Sequence, residues 1–413
     1  MGLLGELKTF WARQSKNFKV FIARDLISSI VGGEGGIGRY VSIYYKSLGA
    51  STVEIGLLDS IANAVRMLVS IPAGFLTDQA KRLKRIYVTG RSLLIPVSLV
   101  YAAAQSWQVF IITAIWSALI GRVTMPVENI VYIDSLRNQD RVTGIAVQRT
   151  ITSAVGLFSP LLVAYLVTIF GGLDNAPSSL RPLYLVEFSV GLTVLILLVT
   201  QLQEPNLVRT ERKGFMGYMF GMFKEVPGLY RLLLLQVLNT FFNGIRGPFR
   251  ILYFYEIKNA DAFIIGLQGT VATAVSLTLS VPLGRAAERI GRRKFSYYGH
   301  IVYALCVLSA LVTPRDHPEL LLVYSLLSSL GGAMEVGWMA FQQEYIPLEM
   351  RGRWAGITTL VTAMANIVAP IIGGLLWNMN PDYAWYIGIV HYAFIALPLM
   401  ISIPSRPEDK GSN

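Results

Sequence analysis

Long apolar runs, each wide enough to cross a hydrocarbon layer, recur along the whole chain and are separated by short polar turns. A helical crossing needs roughly 20 predominantly apolar residues. The runs here are continuous and helix-length, which disfavours a closed β-barrel built from strands of about ten alternating residues. The pattern predicts twelve spanning helices: span 1 at 20–45, span 2 at 54–77, span 3 at 86–105, span 4 at 108–134, span 5 at 144–170 and span 6 at 182–202. Span 7 follows at 230–255, then span 8 at 262–284, span 9 at 294–313, span 10 at 319–344, span 11 at 355–377 and span 12 at 383–403. One connection is long, from Gln203 to Gly228. The expected organisation is an interfacial segment over 1–19, a bundle over 20–202, a linker with an interfacial helix over 203–229, a second bundle over 230–403 and a tail over 404–413.

Composition agrees: of 413 residues, 53% are hydrophobic and 15% charged, at mean hydropathy +0.51, so a single soluble domain is excluded. Lys and Arg set the orientation. The loops on the side of the two termini carry 23 of them and the opposite loops four, Lys46, Arg181, Lys258 and Arg315. Both termini are therefore expected in the cytoplasm of a multi-pass cell-membrane protein. Topology accounts for the net charge of +11, and nucleic acid is not expected as a partner. No cleavable signal peptide is read, because Glu6, Lys8, Arg13 and Lys16 interrupt any apolar core before span 1. Leu3, Leu4, Leu7, Phe10 and Trp11 suit an interfacial helix, as do Phe215, Met216, Tyr218, Met219, Met222 and Phe223 in the linker, where a hydrophobic partner is the alternative. Cys306 is the sole cysteine, which excludes an intrachain disulfide or a cysteine metal cluster.

An internal repeat runs at an offset of 210 residues. Ile55-Gly56-Leu57 returns as Ile265-Gly266-Leu267, Pro72 and Gly74 as Pro282 and Gly284, and Asp78 as Glu288. Gly121 matches Gly331, Asp134 matches Glu344, Arg141 matches Arg351, and Pro160 matches Pro370. These residues punctuate helices, so one fixed offset reads as gene duplication. The segment Gly284 to Lys294, GRAAERIGRRK, resembles the G-x-x-x-D-R-x-G-R-R/K signature of the major facilitator superfamily, with Glu288 in place of Asp. In the first copy Gly74 and Asp78 remain, while Gln79 stands for Arg and Lys81 for Gly. Pro347, Arg351, Gly352, Arg353 and Gly356 resemble the family's second cytoplasmic loop motif. The resemblance implies an all-α membrane protein of twelve transmembrane helices in two pseudo-symmetric six-helix bundles.

It also implies a cytoplasmic gate at Asp78, Asp134, Arg141, Glu288, Arg289, Arg292, Glu344 and Arg351, made and broken as the halves rock. Acidic groups at helix ends can accept from orphan amides and pair with basic neighbours. The competing reading is that these arginines serve topology alone.

Charges deep in a membrane are costly without a partner or a wet cavity. Such positions are Glu34 and Arg39 in span 1, Arg66 in span 2, Arg122 and Glu128 in span 4, Arg246 and Arg250 in span 7, and Glu335 in span 10. Gln236, Asn239, Asn243, Arg246 and Arg250 recur at helical intervals as one polar stripe. Shorter stripes are Asp59, Asn63, Arg66 and Ser70 in span 2, Arg122, Pro126 and Asn129 in span 4, and Thr359, Thr362 and Asn366 in span 11. The resemblance places these spans around a central cavity. Gly32, Gly33, Gly35, Gly36 and Gly38 around Glu34 permit either unwinding of span 1 or close helix packing.

Five deep arginines against three glutamates favour a small anionic organic solute, held by Arg39, Arg66, Arg122, Asn239, Asn243, Arg246, Arg250 and Asn366. The alternative is that Glu34, Glu128 and Glu335 neutralise the arginines in structural ion pairs. These glutamates are also the candidates for proton coupling, Glu34 first. The function expected is secondary active transport by alternating access, in a monomer within the lipid bilayer, with no cofactor or metal. A proton-coupled multidrug antiporter is the second reading. It is disfavoured because Gly156-Leu157-Phe158-Ser159-Pro160-Leu161-Leu162 in span 5 lacks the glycines after proline that such antiporters resemble one another in having. A receptor or scramblase on the same fold is the third. His300 and His391 are expected to pack or face lipid, and no nucleotide-binding or hydrolytic motif suggests an enzyme.

Overall fold

The structure is a computed structural model that describes residues 9–32, 36–80, 82–205, 223, 226, 228–347 and 350–404. Glu34, Lys81 and nearly all of the linker lie outside the described residues, as does the side chain of Asp78. Among the described residues there are helices and no strands. Spans 2, 3 and 4 are Thr52–Gln79, Leu83–Ala103 and Val109–Asp134; spans 8 to 11 are Ala262–Ile290, Arg292–Val312, Leu321–Tyr345 and Arg351–Met379. Span 6 is Ala176–Gln201. Nine helices among the described residues are long and apolar enough to cross a membrane. The remaining three spans are 1 and 7, which are interrupted, and 2, whose 28 residues carry Glu54, Asp59, Arg66 and Asp78.

Spans 1, 5, 7 and 12 are each built from more than one helical piece. Span 1 consists of Lys16–Ser29, a 3-10 turn at Ile37–Tyr40 and Val41–Ser47. Span 7 consists of Leu229–Arg246, a 3-10 turn at Gly247–Phe249 and Arg250–Glu256. The two turns sit 210 residues apart, so the duplication is visible in the backbone as well as in the sequence. Their local causes differ. The first helix of span 1 ends ahead of Gly32, and the 3-10 turn begins after Gly36, glycines whose backbone freedom weakens a helix; span 7 breaks at Pro248, which lacks a backbone N–H. Span 5 is Arg141–Gly156 and Ser159–Ile169, interrupted ahead of Pro160. Span 12 opens with Tyr383–Val390, widens into a π-helical turn at His391–Ala396 and closes with Leu397–Ser402. The wide turn precedes Pro398, which cannot donate to the carbonyl four residues back.

Two compact units result, Met1–Gly49 with Val65–Thr210, and Ala50–Ala64 with Glu211–Asn413. In the first, Phe21, Tyr87, Val127, Val131 and Leu198 close a core between spans 1, 3, 4 and 6. The second half of span 1 is anchored by Tyr44, whose ring lies 5.6 Å from Phe110 and 5.4 Å from Tyr184. Its repeat counterpart Phe254 anchors span 7 in the second unit, 5.0 Å from Tyr324 and 5.7 Å from Trp385. Both rings are fully buried. Interrupted helices are thus pinned by aromatic burial on the far side of each break. Of the N-terminal interfacial positions, Phe10 packs edge-on against Phe18 at 6.2 Å, while Trp11 stays exposed beneath the Lys19 ammonium.

Candidate functional site

In the first unit, Arg24 of span 1 lies 7% exposed at the meeting of four helices. Its Nη1 donates to the Tyr87 hydroxyl and to Glu128 Oε1, each at 2.5 Å, and its Nε donates to Asp25 Oδ1 at 2.8 Å. Gln148 of span 5 donates to the other Asp25 oxygen. Spans 1, 3, 4 and 5 are thereby tied by one charged network. Beside it a cavity of ≈ 290 Å³ is lined by Arg66, Arg91, Arg122, Glu128, Ser117 and Thr124. Arg122 Nε donates to Ser70 Oγ at 2.8 Å. No ion pair among the described residues engages Arg91 or Arg122. A second cavity, ≈ 260 Å³, shares Arg91 and is lined also by Ser98 of span 3 and Glu187 of span 6.

In the second unit, Gln236, Asn239 and Asn243 line a cavity of ≈ 340 Å³ together with His300, Tyr303, Glu335, Trp338 and Gln342. His391 Nε2 donates to Asn239 Oδ1 at 2.8 Å, and Asn239 Nδ2 donates to His300 Nε2 at 3.5 Å. His300 Nδ1 completes the chain by donating to the Ser296 carbonyl at 2.9 Å. Both histidines are buried, so the expectation that they pack holds and that of a lipid-facing role is corrected. Arg246 is 8% exposed and turned into its own bundle: Nη2 donates to Asn243 Oδ1 at 2.8 Å, and the guanidinium lies 5.6 Å from the Tyr392 ring and 5.9 Å from that of Trp385. Arg250 begins the helix beyond the break. Only the Gln236, Asn239 and Asn243 part of the polar stripe faces this cavity.

Asn366 is placed by packing: its carbonyl accepts from Asn63 Nδ2 at 3.1 Å. Arg39 lies in the 3-10 turn of span 1. The ion-pair alternative is met in part, since Glu128 is neutralised by Arg24, which sequence spacing does not single out. No ion pair among the described residues engages Glu335.

Of the gate residues, Arg292 pairs with Glu344, and Glu288 lines the same surface hollow. Asp134 at the end of span 4 feels the charge of Arg141 at the start of span 5. Arg351 donates to the Gln343 and Ile346 carbonyls, the latter at 3.4 Å. Arg289 is exposed in the last turn of span 8. The glycine of the signature, Gly291, has φ +94°, a conformation that side chains resist, and so turns span 8 into span 9. Arg293, outside the expected gate, donates to the Ile401 carbonyl at 3.1 Å and to the Tyr297 hydroxyl at 2.6 Å. It closes the end of span 12.

Arg24, Asp25, Arg91, Gln148 and Glu187 belong to these networks and cavities and are passed over by sequence reasoning, which names the two histidines only as packing or lipid-facing residues. Among the described residues no group of three His, Cys, Asp or Glu side chains could hold a metal.

An uncharacterised MFS-type transporter of Methanocaldococcus jannaschii is 20% identical over 362 residues, covering 83% of this chain and 84% of that one. The chloramphenicol resistance protein CraA of Acinetobacter baumannii is 30% identical over 118 residues, 28% of this chain and 27% of that protein. The solved structure of the nucleoside transporter NupG is similar with TM-score 0.75 at 12% identity, covering 95% of this chain and 99% of that one. A bacterial homologue of the iron transporter ferroportin, inward-facing, is similar with TM-score 0.67 at 15% identity, covering 94% and 98%. At such identities the structural likeness concerns the fold. The sequence profile of the Major Facilitator Superfamily matches residues 28–229 and 232–413, and the chain belongs to that superfamily.

Proposed function

We propose that this superfamily member is a secondary active transporter that moves a small anionic organic solute across the cell membrane by alternating access. One observation carries the reading: Arg66, Arg91 and Arg122 come from three spans to line one cavity, whose lining carboxylate, Glu128, is engaged by Arg24. Guanidinium groups at this depth are costly unless compensated. Carboxylate or phosphate oxygens compensate them bidentately, as a lysine would not. Arg39 and the polar residues Asn239, Asn243 and Asn366 remain candidates for the rest of the solute, and Glu34, Glu128 and Glu335 for coupled protons. The ion pair of Arg292 with Glu344, and the charge of Arg141 acting on Asp134, support a cytoplasmic gate, with both termini on the cytoplasmic side.

The test is thermal stabilisation of the purified protein by phosphorylated sugars, carboxylates and nucleotides, followed by uptake into proteoliposomes. Stabilisation by anions that vanishes in Arg122→Gln supports the reading. Stabilisation only by neutral amphiphiles, unchanged by that substitution, sinks it. A second reading, export of amphiphilic compounds, is favoured by the 30% identity to the chloramphenicol resistance protein over 118 residues. Raised chloramphenicol tolerance in cells expressing the chain would select it.

A further inference from the structure

The ≈ 260 Å³ cavity of the first unit holds one charge of each sign. Spans 1, 3 and 6 enclose it, and of its lining residues only Arg91 and Glu187 are charged. Both are half-buried, and each lies near the middle of its helix, Leu83–Ala103 and Ala176–Gln201. Among the described residues no ion pair joins the two or engages either with a third group. Arg24, one turn from the lining residue Ser28, does not balance Glu187, because it is committed to Asp25 and Glu128.

Opposite charges held apart at mid-membrane are costly, and one occupant that carries the complementary pair compensates both. An α-amino acid does so, with a carboxylate that a guanidinium binds bidentately and an ammonium for the acid. The remaining walls indicate its side chain. Leu94, Ile95, Val190, Val194 and Leu195 are aliphatic, and no ring lines the cavity. Gly191 leaves room beside them, since a Cβ on it would lie 3.5 Å from Ile95 Cγ1. The volume falls below the range of about 300–1,000 Å³ usual for drug-sized ligands, which suits a solute as small as a single amino acid.

We propose that this cavity binds an aliphatic α-amino acid as the zwitterion, its carboxylate on Arg91, its ammonium on Glu187 and its side chain among the aliphatic residues of spans 3 and 6. A zwitterionic lipid headgroup carries the same two charges, but the middle of a spanning helix lies in the hydrocarbon layer, below headgroup depth. The site goes beyond the anion reading, with whose cavity it has only Arg91 and Leu94 in common.

The experiment is calorimetric titration of the purified full chain with four probes: L-leucine; isocaproate, which lacks the ammonium; isoamylamine, which lacks the carboxylate; and O-phosphoethanolamine, which has the charges of a headgroup without the aliphatic side chain. Leucine should bind, and the other three should bind at least about tenfold more weakly, because a site built around a charged group rejects analogues that lack it. Glu187→Gln should abolish the advantage of leucine over isocaproate, and Arg122→Gln should leave leucine binding unchanged. Should Glu187→Gln not fold, Gly191→Ala, whose added methyl meets Ile95 at an ordinary contact distance, should shift the preference from leucine towards alanine by several-fold. Absence of leucine binding, equal binding of an analogue that lacks one charge, or leucine binding indifferent to both substitutions overturns the proposal. Binding of O-phosphoethanolamine as tight as that of leucine overturns it in favour of a lipid headgroup. Anion stabilisation in the same preparation reports through Arg122 on the neighbouring cavity, so either reading can fail while the other stands.

Discussion

The guanidinium of Arg24 donates to the carboxylate of Glu128 at 2.5 Å, joining span 1 to span 4 inside the first bundle. The same Nη1 reaches Tyr87, and Asp25 shares the opposite edge, so Arg24 faces two carboxylates while 7% exposed. The second carboxylate matters for energetics. Removing Glu128 alone still leaves the guanidinium compensated, whereas removing Arg24 strands both acids.

Arg24→Met is therefore expected to destabilise the protein by about 3–5 kcal/mol, the usual cost of orphaning a buried charge. Glu128→Gln should cost clearly less. Thermal unfolding in detergent reads both, and the double variant should be more stable than the sum of the singles by about 1–3 kcal/mol, because the sites are coupled. Additive losses would show that the pair is not a unit.

Span 11 carries tandem glycines because two neighbours press on it. A Cβ on Gly373 would lie 2.1 Å from the Ile245 carbonyl oxygen of span 7, and one on Gly374 would lie 2.6 Å from the Thr52 carbonyl oxygen of span 2. Gly373→Ala and Gly374→Ala should each cost about 1–3 kcal/mol through backbone displacement. At Gly74 a Cβ would meet nothing within 4 Å, so Gly74→Ala should be neutral or slightly stabilising in the same unfolding assay.

The spans are legible in the sequence because apolar runs of helix length have few other outcomes. Their starts are not. Arg24, Arg91 and Glu187 read as lip positions when spans 1, 3 and 6 are begun at 20, 86 and 182, but the helices begin at Lys16, Leu83 and Ala176. The charged first turns Lys16 to Lys19 and Lys84 to Arg85 look like loop to any hydropathy reading, and this conceals how deep the following charges sit. Helical spacing finds the Gln236, Asn239 and Asn243 stripe and then overshoots, since the 3-10 turn at Gly247–Phe249 separates Arg250 from the helix that carries the stripe. The histidine pair bridged by Asn239 joins residues of three spans, a relationship that no one-dimensional spacing encodes.

Lys258, in the loop after span 7, is buried and donates to the Leu311 and Thr313 carbonyls at 2.8 Å each, closing the end of span 9. Burial draws its ammonium below the usual lysine range. Below the lowered folded value both states hold the proton and the desolvation penalty is complete; as pH rises through that value towards the ordinary lysine range, the unfolded state binds more protons and the penalty is relieved. The difference in unfolding temperature between wild type and Lys258→Met should accordingly shift in favour of wild type as buffers become more alkaline. A difference that is flat with pH would contradict this.

Arg122 and Arg246 look alike in sequence, each a deep arginine on a polar stripe, but their surroundings differ. Arg122 lines a cavity and is held by a single hydroxyl, Ser70, without an ion pair. Arg246 is packed against Tyr392 and Trp385, and a Cβ on the facing Gly388 would lie 2.7 Å from its Nη1. Arg122→Gln should therefore leave thermal stability within about 1 kcal/mol of wild type, as for substitutions away from packed features, while abolishing stabilisation by anions. Arg246→Gln should do the reverse, lowering the unfolding temperature by the loss of stacking and of the Asn243 bond, with anion stabilisation of the surviving fold retained. Measuring both variants against one anion panel separates recognition from architecture. If Arg246→Gln instead removed anion stabilisation at unchanged unfolding temperature, the solute would have to reach the second bundle beneath Tyr392, and the first-unit cavity would lose its claim to be the site.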